Sequence, residues 1–251
     1  MYDFKDRVVL VTGGSRGIGA AVAKGFAELS AKVVITYRTN KQSAEKLAKE
    51  ILSEGGECLV LRASVESQRD VRRSVQKVHA KFGRIDVLVN NAAIWKMGEI
   101  GSMSEAQWDE TMAVNLKGTF LFCNEVAPIM KKQKSGKIVN VSSTAGQRGE
   151  PFHSHYAASK GGLIAFTKSI AVELAPYNIN VNCISPGWVA TDMTKKELSI
   201  PRIKAGIDSS IPKGKVADPR DIVGSVLFLA SDFANHIIGA TISVNGGSVL
   251  F

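Results

Sequence analysis

Short apolar runs rich in β-branched residues alternate along the chain with longer stretches in which apolar positions recur at helical spacing. The runs are VVLVT (8–12), KVVITY (32–37), CLVLRA (58–63), DVLVN (86–90), KIVNVS (137–142), INVNCIS (179–185) and TISVN (241–245). Their apolar character is close to continuous, as strands buried on both faces require. Helical periodicity fills about 17–29, 41–54, 67–82, 104–132, 155–175 and 219–230. This alternation predicts an α/β fold, a doubly wound sheet of about seven parallel strands with helices on both faces.

The predicted connections are short except for 186–218, which holds Pro186, Pro201 and Pro212. A connection that long inside a compact domain is usually functional, so a substrate loop or lid is expected at about 188–212. No repeat, low-complexity tract or linker interrupts the pattern, and one domain spanning 1–251 is expected. A 45% hydrophobic, 22% charged composition over 251 residues gives ample material for a core. Cys58, Cys123 and Cys183 are isolated from one another, without a C-x-x-C pair or a Cys/His cluster. They are expected to be buried free thiols, with no metal site. Asp3, Lys5, Asp6 and Arg7 break any early apolar run, and no stretch approaches the roughly 20 apolar residues of a membrane span. A soluble cytosolic protein without a membrane partner is expected.

The net charge of +9 raises the question of a polyanionic partner. The basic residues are scattered and interleaved with acids, and no nucleic-acid motif accompanies them. Nucleic-acid binding is not expected. An anionic cofactor or an acidic carrier remains compatible with the charge.

The first predicted strand runs into TGGSRGIG, residues 12–19, and then directly into a helix. Such a glycine turn lets backbone approach a pyrophosphate and aims a helix N-terminus at it, the mark of a Rossmann-type dinucleotide site. Gly13, Ser15, Arg16, Gly17, Ile18 and Gly19 are its candidate contacts. At the end of the second strand, a cofactor with free ribose hydroxyls calls for an acid. The chain has Tyr37 and Arg38 there. With Arg16, Arg38 can bind a 2′-phosphate through charge-assisted hydrogen bonds, which points to NADP(H).

Tyr156 and Lys160 stand four residues apart at the start of a predicted helix, and so on one face. Tyrosine is a poor base near neutrality. A cation within a few ångströms is expected to lower its pKa, so that it exchanges a proton with a carbonyl or an alcohol. Ser142 and Ser143 end the fifth predicted strand, at the edge where an α/β sheet binds its ligand.

TGGSRGIG, NNAA (90–93), VNLKG (114–118), VSS (141–143), YAASK (156–160), SPG (185–187) and VNGG (244–247) occur in this order. The chain thereby resembles the short-chain dehydrogenase/reductase family along essentially its whole length. That resemblance implies an NADP(H)-dependent oxidoreductase. Tyr156 is then the catalytic acid/base, and Lys160 lowers its pKa and binds the nicotinamide ribose. Ser143 steadies the substrate oxygen, Ser142 points elsewhere, and Asn115 holds a water in a proton relay. Asn90, Asn91, Ala92 and Ala93 match the stretch near the adenosine ribose. Pro186, Gly187, Val189 and Thr191 match the stretch that meets the nicotinamide. Two positions depart from the family pattern: Ala93 stands for a glycine, and Ser64 stands for the acid that reads the adenine. The Ser64 hydroxyl or the backbone of Val65 is expected to take over. His153 and His155, beside the tyrosine, are expected at the cleft lip or in a subunit contact.

Within the family, the chain is most similar to 3-oxoacyl-[acyl-carrier-protein] reductases in SPGWVATDMT, IPKGKVADPRDI and FLASDFANHIIGATISVNGG. Lys131, Lys132 and Lys134 are near the family's carrier contacts. Tyr177 and Asn178 depart from that subgroup, and the second-strand region also looks like NADP-using sugar and alcohol dehydrogenases. Both substrate classes stay open, as does a non-catalytic NADP-binding role. Apolar residues spread widely around the 155–175 helix and its neighbour, and the resemblance implies a homotetramer.

Overall fold

In the computed structural model, which describes residues 2–250, the seven apolar runs form strands within one residue of their expected ends. They are β1 (Val8–Val11), β2 (Lys32–Tyr37), β3 (Glu57–Arg62), β4 (Val87–Asn90), β5 (Gly136–Val141), β6 (Ile179–Pro186) and β7 (Thr241–Val244). All pair in parallel, in the order β3-β2-β1-β4-β5-β6-β7. The order reverses between β1 and β4. At such a switch point the strand ends diverge and leave a crevice for a ligand.

The helices are α1 (Gly17–Glu28), α2 (Lys41–Ser53), α3 (Gln68–Phe82), α4 (Glu105–Met112), α5 (Gly118–Gln133), α6 (Thr144–Arg148), α7 (Ser154–Leu174), α8 (Lys195–Leu198), α9 (Pro201–Ser210) and α10 (Pro219–Ala230). Successive strand residues face opposite sides of the sheet. Val9 and Val11 therefore join Val22 and Phe26 of α1, Ile51 of α2 and Val226 of α10. Val8 and Leu10 join Val75 of α3, Phe122 of α5 and Leu174 of α7. Two apolar cores flank one Rossmann-type sheet. No helix among the described residues is long and apolar enough to cross a membrane.

Two differences from the expected pattern bear on the site. The single helix expected over 104–132 is divided by a π turn at Ala113–Lys117, which contains Asn115. Such a wide turn inserts a residue without ending the helix, so hydrophobic periodicity does not reveal it. The 186–218 connection carries α8 and α9, and α6 follows β5. These helices are too short, or too polar, for a periodic signal.

A buried polar ladder seats α7 on the sheet. Asn90 Nδ2 donates to Asn140 Oδ1 at 2.9 Å, and Asn140 Nδ2 donates to Thr167 Oγ1 at 2.9 Å. Farther along, α6 packs on α7 through glycine. A Cβ on Gly146 would lie 2.5 Å from the Lys160 carbonyl carbon and 2.7 Å from the Gly161 nitrogen. Both are backbone atoms, so neither can swing aside. Gly146→Ala is expected to cost about 1–3 kcal/mol, as overpacking does. It should also lower turnover, because α6 begins next to Ser143. A urea-unfolding midpoint equal to that of the unmodified protein would contradict this.

Candidate active site

Backbone geometry builds the first part of the site. Gly13 and Gly17 have φ of +60° and +54°, where a side chain is strained. Gly13 sits against Ala92, and a Cβ there would come 2.9 Å from the Ala92 Cα. Asn91 braces the turn, its Nδ2 donating to the carbonyls of Thr12 and Gly13 at 3.0 Å each. The first turn of α1 has no side-chain cap and no acid. Its N–H groups and positive dipole end are left for an anion, so the turn fits a dinucleotide pyrophosphate.

A cavity of about 310 Å³ opens over this turn. Gly13, Ser15, Arg16, Gly17 and Ile18 line it, followed by Tyr37 and Arg38, then Val65, and then Asn91, Ala92 and Ala93. At its other end stand Ser143, Tyr156 and Lys160, with Pro186, Gly187, Val189 and Thr191. Four candidates lie outside its lining, the first being Asn90, which is buried in the sheet against Asn140. Gly19 sits behind the turn, where a Cβ would be 2.4 Å from Asn91 Nδ2. The Ser64 N–H is taken by Asp70 Oδ2 at 3.2 Å. Asn115 is fully buried.

An acid, Glu66, stands two residues on from Ser64. Glu66 lines the cavity, with Oε1 3.7 Å from Arg38 Nη1 and Oε2 buried without a partner. Ala63, Val65 and Glu66 face the crevice, and Ser64 between them does not. Arg16 has an acidic neighbour as well, Asp192 Oδ2 at 3.4 Å. The Arg16–Asp192 pair is largely exposed, so Arg16 can exchange its carboxylate for an incoming anion at little cost; the Arg38–Glu66 pair is exposed chiefly on the arginine side.

The Tyr156–Lys160 pair is dry. Tyr156 is 8% exposed and Lys160 is 2% exposed. Lys160 Nζ donates to the Val141 carbonyl at 2.7 Å and lies 5.8 Å from the Tyr156 ring centroid. Burial pushes the phenol up to about 12; Ser143 pulls against it, and the charge of Glu150 adds to the rise. Burial pushes Lys160 down to about 8. The expectation of a lowered tyrosine pKa is therefore not met in the ligand-free chain. Desolvation of the phenolate dominates, and the Lys160 ammonium is turned to a backbone carbonyl. Ser142 does point elsewhere, its Oγ donating to the Lys160 carbonyl at 2.9 Å. Ser143 Oγ caps α6, accepting from the Ala145 N–H at 3.1 Å.

Asn115 acts on the loop after β4. Ile94 N–H donates to its Oδ1 at 2.8 Å, and its Nδ2 donates to the Ile94 carbonyl at 3.0 Å and to Ser159 Oγ at 3.1 Å. The side chain is thus engaged by protein at both ends. That loop brings in Trp95, and the segments after β5 and β6 bring in three more residues that were not singled out in the sequence. Trp95, Trp188, Arg148 and Glu150 line the cavity near Tyr156. Trp95 stacks on His153, which is itself outside the lining. His155 is outside it too. It is buried against α4, with Nε2 3.3 Å from Gln107 Nε2, and burial lowers its pKa.

The three thiols are free, and burial raises all of them, to about 11 for Cys58 and Cys183 and about 12 for Cys123. Thiols held protonated in this way are unreactive. Among the described residues, no group of three or more His, Cys, Asp or Glu could hold a metal ion.

Residues 13–248 match the family model described as Enoyl-(Acyl carrier protein) reductase. A 3-oxoacyl-[acyl-carrier-protein] reductase of Synechocystis sp. is 40% identical over 246 residues, 98% of each chain. Among solved structures, a putative short-chain alcohol dehydrogenase from Sinorhizobium meliloti 1021 superposes with a TM-score of 0.94 at 34% identity, covering 98% of this chain and 97% of the other. A putative gluconate dehydrogenase from Agrobacterium tumefaciens gives 0.95 at 30% identity, covering 99% and 98%. The glycine turn, the dry tyrosine–lysine pair and similarity sustained from end to end converge: the chain belongs to the short-chain dehydrogenase/reductase family of nicotinamide-dependent oxidoreductases.

Proposed function

We propose that this enzyme reduces the keto group of a 3-oxoacyl thioester on acyl carrier protein, using NADPH. The observation that carries the reading is the buried Tyr156, brought together with Ser143 and Lys160 at one end of the cavity. A phenol so placed can give its proton to a carbonyl oxygen. The identity to relatives named for that reaction supports the substrate class. The bound cofactor supplies the hydride. Ser143 holds the substrate oxygen, and Tyr156 gives it the proton. Lys160 spends one N–H on Val141, and the rest of its ammonium is available to the ribose. As the phenolate forms, the same cation stabilises it and supports proton return. Asn115 fixes Ile94 and Ser159 around this centre; the relay water, in this reading, is held through its backbone.

Arg16, Arg38 and Tyr37 hold the 2′-phosphate in this reading, and Glu66 reads the adenine amino group in place of Ser64. The 188–212 segment, with α8 and α9, is the substrate lid of a single domain. A carrier with acidic helices fits the basic Lys131, Lys132 and Lys134; Lys131 Nζ lies 4.5 Å from the Tyr177 ring centroid. A second reading, an NADP-dependent sugar or alcohol dehydrogenase, is favoured by one observation. Trp95, Trp188 and Glu150 form a mouth that offers flat faces and a hydroxyl acceptor. The assembly proposed is a homotetramer, since Trp108, Phe120 and Val172 leave apolar surface exposed on α4, α5 and α7.

Tyr156→Phe keeps the ring and removes the proton. It should lower kcat by at least about 10²-fold while NADPH still binds. Normal turnover of the variant against 3-oxoacyl thioesters would end the mechanism. Fluorescence titration should show NADPH bound more tightly than NADH, with Arg38→Asp weakening NADPH selectively; equal affinities in the unmodified protein would refute the cofactor choice. Light scattering should give about four times the 26.9 kDa chain mass, and a mass of one chain would exclude the assembly.

A further inference from the structure

We propose that Trp95 and Trp188 form an aromatic wall that admits only a short chain beyond the reacting carbonyl. The inference rests on the reductase reading, and it names the substrate's length. A dinucleotide takes the end of the cavity at the glycine turn. The substrate is left with the end where Tyr156, the two tryptophans and Glu150 stand.

The two indoles come from opposite sides of the cleft, Trp95 from the loop after β4 and Trp188 from the loop after β6. Their ring centroids are 5.8 Å apart at 86°, an edge-to-face contact. An alkyl chain between two groups needs about 3.5–4.0 Å of carbon–carbon separation on each side. Rings already in contact leave no such passage.

Trp95 is held by its packing and by the backbone on either side of it, and Trp188 is held through its backbone. Trp95 lies parallel to His153, with centroids 4.3 Å apart and planes 4° apart. His153 is anchored in turn by the Pro151 carbonyl at 3.1 Å from Nδ1, with Glu150 Oε1 at 3.8 Å. The backbone on either side of Trp95 is fixed as well. Asn115 holds Ile94, and the Gly98 N–H donates to the Phe152 carbonyl at 2.7 Å. On the other side of the cleft, the Trp188 carbonyl accepts from the Ala217 N–H at 3.0 Å, and the Ala190 N–H donates to the Ala217 carbonyl at 2.9 Å. A chain turned back by the wall meets the Glu150 carboxylate, which is a poor neighbour for methylenes.

The test is a chain-length ladder. NADPH oxidation is measured with 3-oxoacyl N-acetylcysteamine thioesters of four, eight and twelve carbons, and with 3-oxo methyl esters of the same lengths. In the unmodified enzyme, kcat/KM should fall from four to twelve carbons in whichever series is reduced. Trp95→Ala and Trp188→Ala should each raise the twelve-to-four ratio by at least about tenfold, the scale on which pockets discriminate single methylenes. Trp188→Phe should fall between. NADPH titration of each variant reports whether the fold survives; if an alanine variant fails to fold, the ladder of the unmodified enzyme and the phenylalanine variant decide. An unmodified enzyme that reduces the twelve-carbon substrate as well as the four-carbon one would overturn the wall. So would folded variants with an unchanged ratio. Reduction of esters without reduction of thioesters would instead sink the thioester reading, and the ester ladder would still judge the wall.

Discussion

When α7 settles on the sheet, a phenol and an ammonium lose their water together, and much of the rest of the structure accommodates that. Dehydrating an ammonium costs several kcal/mol even after relaxation. Here one carbonyl, that of Val141, answers it directly. The remaining imbalance lowers Lys160 to about 8 from 10.5. At 1.36 kcal/mol per pKa unit, this corresponds to about 3 kcal/mol against folding with the cation charged. The unfolded chain binds the lysine proton more tightly, so this group's contribution becomes more favourable as pH rises from about 8 to 10.5. Near neutrality the fold carries the full cost, which other contacts must offset.

Those contacts converge on the same helix. Asn140 reaches Thr167, Ser142 reaches the Lys160 carbonyl, and Asn115 reaches Ser159. Each is a buried polar group satisfied by α7, so each favours one seating of that helix over any slipped one. Gly146 allows α6 to lie close enough that Ser143, at its N-cap, faces the phenol. The π turn places Asn115 where it holds α7 and the Trp95 loop together. The tyrosine–lysine pair and the Trp95 loop are thereby positioned by one set of hydrogen bonds.

The sheet was legible in the sequence because strands buried on both faces must be apolar throughout, and because helices of twelve or more residues show their period. The glycine turn and the tyrosine–lysine pair were legible because their spacing is their mechanism. What could not be read was whatever depends on distant segments meeting. Four-residue α8 and five-residue α6 have no period to show. Glu66 was overlooked because the turn after β3 decides which side chain faces the crevice. Trp95, His153 and Trp188 are scattered in sequence, and only the folded loops stack them. The direction of the Tyr156 shift was misjudged for a related reason: an i to i+4 spacing gives proximity but says nothing about dehydration.

That last point admits a direct measurement. The protein has four tyrosines, so carbon-13 labelling at the phenol carbon, with Tyr156→Phe for assignment, resolves the one at issue. Burial should keep Tyr156 in its phenol form in the ligand-free protein at pH 10, where an unperturbed tyrosine is about half ionised. A Tyr156 signal that titrates with a midpoint at or below about pH 9 would mean that Lys160, rather than dehydration, governs the free site, contradicting the account.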